Sequence, residues 1–199
     1  MDKPVGPEMQ RKRFECIIRA DQNITQLLNV IRSLGLPQWR LVAGCLYQTV
    51  WNVLTDRPRG TGIKDYDLIY YSDEDSWDAE DTVIRHVAAA TRDCVGPVEA
   101  RNQARVHLWF PERFGCDYPR LDDADQSLRY YASIVHAVGV RLEPDGSLDI
   151  AAPFGLDDVF AMVIRPNRAL VNAASHTSKA QRAKAIWPEV VVEPWEASA

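Results

Sequence analysis

The sequence predicts an α/β (α+β) fold: a mixed sheet flanked by helices, with a helical C-terminal part. Three observations predict it. Between Trp39 and Tyr71 a short apolar run ends at Gly44, a helix-like segment follows, and after a Pro/Gly-rich loop comes a second strand-like run. Further on, two short runs flank Glu143-Pro144-Asp145-Gly146, a composition that predicts a β-hairpin. Around these lie segments whose apolar residues recur at helical spacing.

Met1 to Gln10 reads as a loose leader, with two prolines and a glycine. Residues 11–199 then read as one domain, whose helical C-terminal segment starts at about residue 156. Phe14, Ile17 and Ile18, then Ile24, Leu27, Leu28 and Ile31, mark two helices. Asp21 or Asn23 can cap the second, and Gly35 with Pro37 stops it. Trp39 to Ala43 is the first strand, Cys45 to Leu54 the next helix, and Trp51 within it a packing residue. Thr55 to Gly62 is a loop whose Arg57 and Arg59 are either solvated or, poised between the glycine turn and the Asp-x-Asp strand, bind a triphosphate. The acidic run Asp73 to Asp75 precedes a helix buried through Val83, Ile84 and Val87, because carboxylates favour a helix N-terminus. Val98 to Phe110 alternates polar and apolar residues and predicts one long strand. A loop over Phe110 to Ala124 and a helix over Asp125 to Val135 follow, whose Tyr130 and Tyr131 either line a pocket or, as is commoner, sit in the core. After the hairpin, Asp157 and Asp158 open a helix reaching Pro166, and a last helix over Ser178 to Trp187 carries Lys179, Arg182 and Lys184, which could approach a phosphate but by default form a solvated basic face.

Composition excludes several classes of protein. With 46% hydrophobic and 26% charged residues the 199-residue chain is ordinary for a globular domain. A net charge of -5 argues against a general basic surface gripping long nucleic acid. No apolar run approaches the roughly 20 residues that span a bilayer, and the N-terminus lacks a secretory core. The four cysteines show no paired spacing, which fits reduced thiols in a cytoplasmic protein rather than zinc or disulfides.

The second strand carries the chemistry. On a strand Asp65 and Asp67 project to the same face, about 7 Å apart at their α-carbons. Two such carboxylates repel unless a hard cation neutralises them, and Mg²⁺ or Mn²⁺ held by carboxylates and substrate phosphates is the usual arrangement. Gly44 complements the pair, since a glycine between strand and helix lets the backbone approach a ligand and the helix offers free N–H groups to an anion.

At these residues the sequence resembles the DNA-polymerase-β-like nucleotidyltransferase superfamily, marked by a strand, a small-residue turn, a helix and Asp-x-Asp. It is also similar to a bacterial group of uncharacterised nucleotidyltransferase-like proteins, through Ala43-Gly44-Cys45, Gln48 to Asn52, Asp65 to Asp67, Asn102 to Trp109 and Ala152 to Asp158. Two departures are Cys45, where relatives carry Gly or Ser, and Tyr47-Gln48, where tRNA-terminus-adding relatives carry Arg-Asp.

The resemblance implies a nucleotide-binding transferase. Asp65, Asp67 and Glu99, the one acid within the 98–110 run, would serve as catalytic metal ligands. Gly44, Cys45, Gln48, Arg101 and Arg105 would contact the nucleotide or acceptor. The implied reaction moves a nucleoside monophosphate from a nucleoside triphosphate to a hydroxyl or amine of a small molecule or protein, with pyrophosphate leaving. Two alternatives stand beside it: a nucleotide-binding or regulatory protein without turnover, and an ordinary α/β domain in which Asp65 and Asp67 face solvent.

Overall fold

The computed structural model describes residues 6–94 and 96–196. Residues 1–5 of the expected leader and the last three of the expected domain lie outside them. Five helices and four strands come first, in the order α1 (Pro7–Ala20), α2 (Gln22–Ser33), β1 (Arg40–Val42), α3 (Gly44–Leu54), β2 (Tyr66–Tyr70), α4 (Trp77–Thr91), β3 (Val98–Asn102), α5 (Val106–Phe114) and β4 (Gly139–Leu142). Then come β5 (Leu148–Ala151), the one-turn α6 (Asp157–Phe160), β6 (Val163–Ile164), α7 (Ala173–Ile186) and β7 (Val191–Val192).

The leader is shorter than its composition suggests. Pro7 occupies the first helical turn with Glu8, a favoured start because proline's missing N–H is unneeded there and the acid meets the helix dipole. Gln10, inside this helix, donates to Asp157 at 2.7 Å. Asp21 caps α2 by accepting from the Ile24 N–H at 3.1 Å.

Five strands form one mixed sheet in the order β3-β2-β1-β4-β5, with only β2 and β3 parallel. Register places Ala100, Leu68, Leu41, Val140 and Ile150 in one row across it, all buried. That row faces the large core shared with Phe14, Ile18, Leu27, Leu46 and Trp51. Because strand side chains alternate, the adjacent row of Glu99, Asp67, Val42, Gly139 and Ala151 points to the opposite face. Val42 and Ile69 on this face pack under Leu121, Ala124 and Leu128, leaving the end bearing Asp67 and Glu99 uncovered by that cluster.

The expected long strand over 98–110 stops at Asn102. The Asn102 side chain accepts from the Ala104 and Ser72 N–H groups, at 3.2 and 3.1 Å, and donates back to the Ser72 carbonyl at 2.9 Å. This caps a 3₁₀ turn over 103–105 that leads into α5. Val106 and Phe110, four apart, are then buried, while Leu108 is 56% exposed. The loop expected from Phe110 begins only at Gly115, whose left-handed backbone ends α5.

Two further helices fall short. Over 125–130 the backbone forms a 3₁₀ segment, then extends at Tyr131. Asp123 accepts from the Gln126 N–H and Ser127 donates to the Ala124 carbonyl, local bonds that compete with an α-helix. The helix opened by Asp157 ends at Phe160, where Met162 turns to a φ of 55° and Val163–Ile164 pair with β7. The C-terminal part is therefore helical with a small two-stranded sheet. It is bound tightly to α3: the Trp51 indole donates to the Val159 carbonyl at 2.9 Å, and the Trp187 indole to Asn52 at 3.1 Å. Among the described residues, no helix is long and apolar enough to cross a membrane.

Candidate active site

The acids stand at one end of the sheet. Asp65 lies just before β2 and Asp67 is its second residue. Glu99 on β3 is the registered partner of Asp67, so these two carboxylates leave neighbouring strands on the same face, with backbones about 4.8 Å apart. Arg101, the next outward residue on β3, holds Glu99 at 3.6 Å. Among the described residues no three His, Cys, Asp or Glu side chains are gathered into a closed metal cluster. Burial, with Asp65 and Glu99 nearby, pushes the Asp67 carboxyl up to about 6, against the opposing pull of Lys179 and Arg101.

Beside the acids the chain turns from β1 into α3. Ala43 carries the turn, with φ 57° and ψ −117°, and its N–H is tied to the Val138 carbonyl at 2.9 Å. A left-handed conformation on a residue with a Cβ stores strain that the surrounding contacts must hold. Gly44 then opens α3 without a side chain, so its backbone and the helix N-terminus face a pocket of about 170 Å³. The strained residue is thus Ala43, not the glycine that the sequence singles out.

This pocket brings together Asp65, Asp67, Gly44 and Gln48 from the expected set, and adds Tyr47, Lys64, His136, Lys179 and Arg182. Gln48 is buried with its Oε1 unpartnered, while its amide nitrogen donates to the Tyr47 hydroxyl at 3.2 Å. His136 is 1% exposed and neither ring nitrogen finds a partner in the protein. Burial, with Lys179 close by, holds its pKa well below the ordinary imidazole value, so it is neutral with one N–H to give. Unpartnered buried polar atoms are rare because each forfeits its hydrogen bonds with water. Two such side chains facing one small pocket point to a ligand.

Lys179 and Arg182 come from α7, whose basic face the sequence leaves between solvent, the default, and a phosphate. The tertiary structure carries them to the acids instead. His176, one turn earlier, anchors the helix: its Nε2–H donates to the Glu193 carbonyl at 2.9 Å, which leaves Nδ1 to accept from the Ser133 hydroxyl at 2.8 Å. Among the described residues neither Lys179 nor Arg182 takes part in an ion pair.

The remaining expected residues are placed differently. Cys45 is buried and its thiol donates to the Val42 carbonyl at 3.6 Å, with burial pushing its pKa well up. Only its backbone N–H remains for a phosphate. Arg105 is turned away from the acids: it pairs with buried Glu80 at 2.7 Å and reaches the Asp75 carbonyl, so its part is structural. Arg57 is likewise tied to Glu189 at 2.9 Å. Arg101 borders a second, larger groove of about 400 Å³, also lined by Asp67, Glu99, Lys179 and a series of aromatic rings. Tyr130 and Tyr131, which the sequence leaves between core and pocket lining, line this groove.

A mixed sheet whose edge acids face a strand-to-helix turn, with cations brought in from a later helix, defines the class of nucleotidyltransferases. Residues 29–192 match the family described as Nucleotidyltransferase, and the chain belongs to that family. A solved protein described as a CCA-adding enzyme head domain has the same fold, at 20% identity and a TM-score of 0.73, covering 89% of this chain and 94% of that one. A tRNA nucleotidyltransferase complexed with a primer tRNA and an incoming ATP analogue aligns at 12% identity and a TM-score of 0.46, over 84% of this chain and 46% of that one. No curated protein matches the sequence.

Proposed function

We propose that this nucleotidyltransferase moves a nucleoside monophosphate from a nucleoside triphosphate to a hydroxyl or amine of a small molecule or protein. The observation that carries this reading is the position of Asp67, on the wall shared by a small pocket with cations at its rim and a larger groove. A transferase needs two substrates to meet at one charged point, and Asp67 with Lys179 is that point. The phosphates are held in the small pocket by the α3 N-terminus, by Lys179 and Arg182, and by a hydrogen bond from the His136 N–H, while the free Gln48 Oε1 accepts from a hydroxyl or amine of the ligand.

Asp65, Asp67 and Glu99 would supply oxygen ligands of the kind Mg²⁺ or Mn²⁺ takes, although among the described residues they are not gathered into a metal-holding group. When bound, such an ion neutralises phosphate charge and lowers the pKa of an attacking hydroxyl. The protein's own side chains do the rest by positioning and charge. Lys179 and Arg182 take up charge on the departing pyrophosphate, and the carboxylates at the sheet end accept the acceptor's proton.

A nucleotide-binding protein without turnover is the second reading. The pairing of Glu99 with Arg101, and the lack of a closed metal cluster among the described residues, favour it. Thermal stability with each nucleoside triphosphate, with and without Mg²⁺ or Mn²⁺, separates these readings when combined with pyrophosphate release. Binding at 100 times the dissociation constant adds about 2.7 kcal/mol of stability. A metal-dependent shift that Asp67→Asn abolishes, with pyrophosphate released once acceptor is supplied, is expected. A shift without release supports the second reading, and no shift at all overturns both.

A further inference from the structure

We infer that the groove beside Asp67 is the acceptor site, and that it takes a small molecule combining an aromatic ring, an anionic group and a free hydroxyl. This rests on the nucleotidyltransferase reading above and adds the chemical class of the acceptor. The groove's volume of about 400 Å³ lies in the range of small-molecule sites, roughly 300–1,000 Å³. The groove meets the phosphate pocket at Asp67, with the more exposed Glu99 beside it, and this is its acidic end. A nucleophilic hydroxyl belongs at that end, in reach of both the α-phosphorus and a carboxylate.

The walls name the rest of the molecule. Rings of α5 and the following segment run along the groove: Phe110 lies 4.5 Å from Phe114 and 4.6 Å from Tyr118, and Tyr118 lies 5.4 Å from Tyr130, centroid to centroid. Phe114 is 38% exposed and shows part of its ring to the opening. A planar apolar body gains both burial and stacking against such a wall. Arg113 lies over Trp109 at 5.9 Å and over Phe114 at 5.5 Å, while Arg101 is paired with Glu99 at 3.6 Å beside the acids. A guanidinium stacked on rings is preorganised to receive a phosphate or carboxylate. The groove therefore joins acids, aromatic rings and one stacked cation, a lining that suits an aromatic anion with its hydroxyl toward Asp67. One stacked arginine suits a single anionic group, and with a chain charge of -5 it does not make a track for a polynucleotide.

The transfer balances without any further reactant. The acceptor oxygen forms a new bond to the α-phosphorus, the bond from that phosphorus to the α–β bridging oxygen breaks, and pyrophosphate leaves with the electron pair. The hydroxyl proton passes to a carboxylate at the sheet end.

The test holds the nucleotide pocket saturated with a non-hydrolysable nucleoside triphosphate analogue and Mg²⁺, confirmed by its stability shift. Acceptor probes are then titrated calorimetrically: a nucleoside 5′-monophosphate, a hydroxyaryl carboxylate, a cationic aminocyclitol, and a short oligoribonucleotide. Pyrophosphate release with the hydrolysable nucleotide is measured for the same four. Binding and turnover with the monophosphate or the carboxylate, the one that works telling which anion is read, are expected. Trp109→Ala and Arg113→Met should each raise the acceptor KM about 10-fold or more while leaving the analogue's stability shift unchanged. The inference falls if the aminocyclitol or the oligoribonucleotide is the better acceptor, if the analogue binds but neither aromatic anion does, or if both variants keep the wild-type acceptor KM. Failure of the analogue to bind would instead remove the reading of the site itself.

Discussion

Two charged regions of this molecule use the same residue types to opposite ends. Near the start of α4, Glu80 is 2% exposed and fully engaged: one oxygen accepts from the Asn102 N–H at 2.9 Å and the other from Arg105 at 2.7 Å. Arg105 also lies over the Trp77 ring at 5.7 Å. About the sheet end, by contrast, Asp67 carries a raised pKa, Gln48 and His136 leave buried polar atoms unpaired, and Lys179 and Arg182 lean over without carboxylate partners among the described residues. Charges that satisfy each other hold architecture together. Charges and polar atoms that do not are stabilised only when something else arrives. Arg40, buried between Asp125 and Asp149, belongs with the first kind and ties the 3₁₀ segment to the sheet.

The contrast breaks or sharpens at three points. The largest expected effect is on stability at the satisfied corner. Arg105→Ala leaves Glu80 buried without its partner, a change that costs about 3–5 kcal/mol, read as a lowered denaturation midpoint in urea. Nucleotide affinity measured below the new midpoint should stay near wild type. A variant that keeps its stability and loses nucleotide binding would move Arg105 into the site.

The second effect has the opposite sign. Because the Asp67 carboxyl is raised to about 6, the ligand-free native state holds a proton that the unfolded chain releases between its ordinary carboxylate pKa and about pH 6. Stability therefore falls as pH rises through that window. Asp67→Asn removes the cost of ionisation, so at pH 7 the variant should be more stable than wild type by on the order of 2 kcal/mol. The gain should close toward pH 4. Thermal or urea unfolding across pH 4–7 in the presence of a chelator tests this, and a variant less stable than wild type at pH 7 would contradict it. Transfer activity should be lost with the same substitution.

The smallest effect is at α7. Lys179→Ala should leave unfolding within about 0.5 kcal/mol of wild type, as for an exposed side chain. The KM for the nucleoside triphosphate should nevertheless rise about 10-fold, equivalent to about 1.4 kcal/mol, as measured in steady-state pyrophosphate release. An unchanged KM would return Lys179 to the solvated face.

Much of this was legible in the sequence, for local reasons. The strand-turn-helix from Arg40 to Leu54, the strand carrying Asp67 and the hairpin around Gly146 each follow from patterns contained within a few residues. Alternation misled at Asn102, because Ala104, Val106 and Leu108 fit a strand pattern while the Asn102 side chain turns the backbone into a helix. Sequence spacing also could not separate Arg101 from Arg105. They stand four residues apart, and only the change from strand to 3₁₀ turn between them sends one toward the acids and the other toward Glu80.

The sequence by itself determined the acids, their order along the chain and the fold that presents them, because strand alternation and turn chemistry are short-range properties. Tertiary structure alone decided that Lys179 and Arg182, more than a hundred residues beyond Asp67, close the same pocket. It also decided that the Gln48 Oε1 and both ring nitrogens of His136 lie there with no protein partner. The physical reason is that α7 is positioned by distant contacts: His176 bridges Ser133 and Glu193, and Trp187 is sealed against Asn52. No periodicity within the helix records which neighbour those anchors turn its basic face toward.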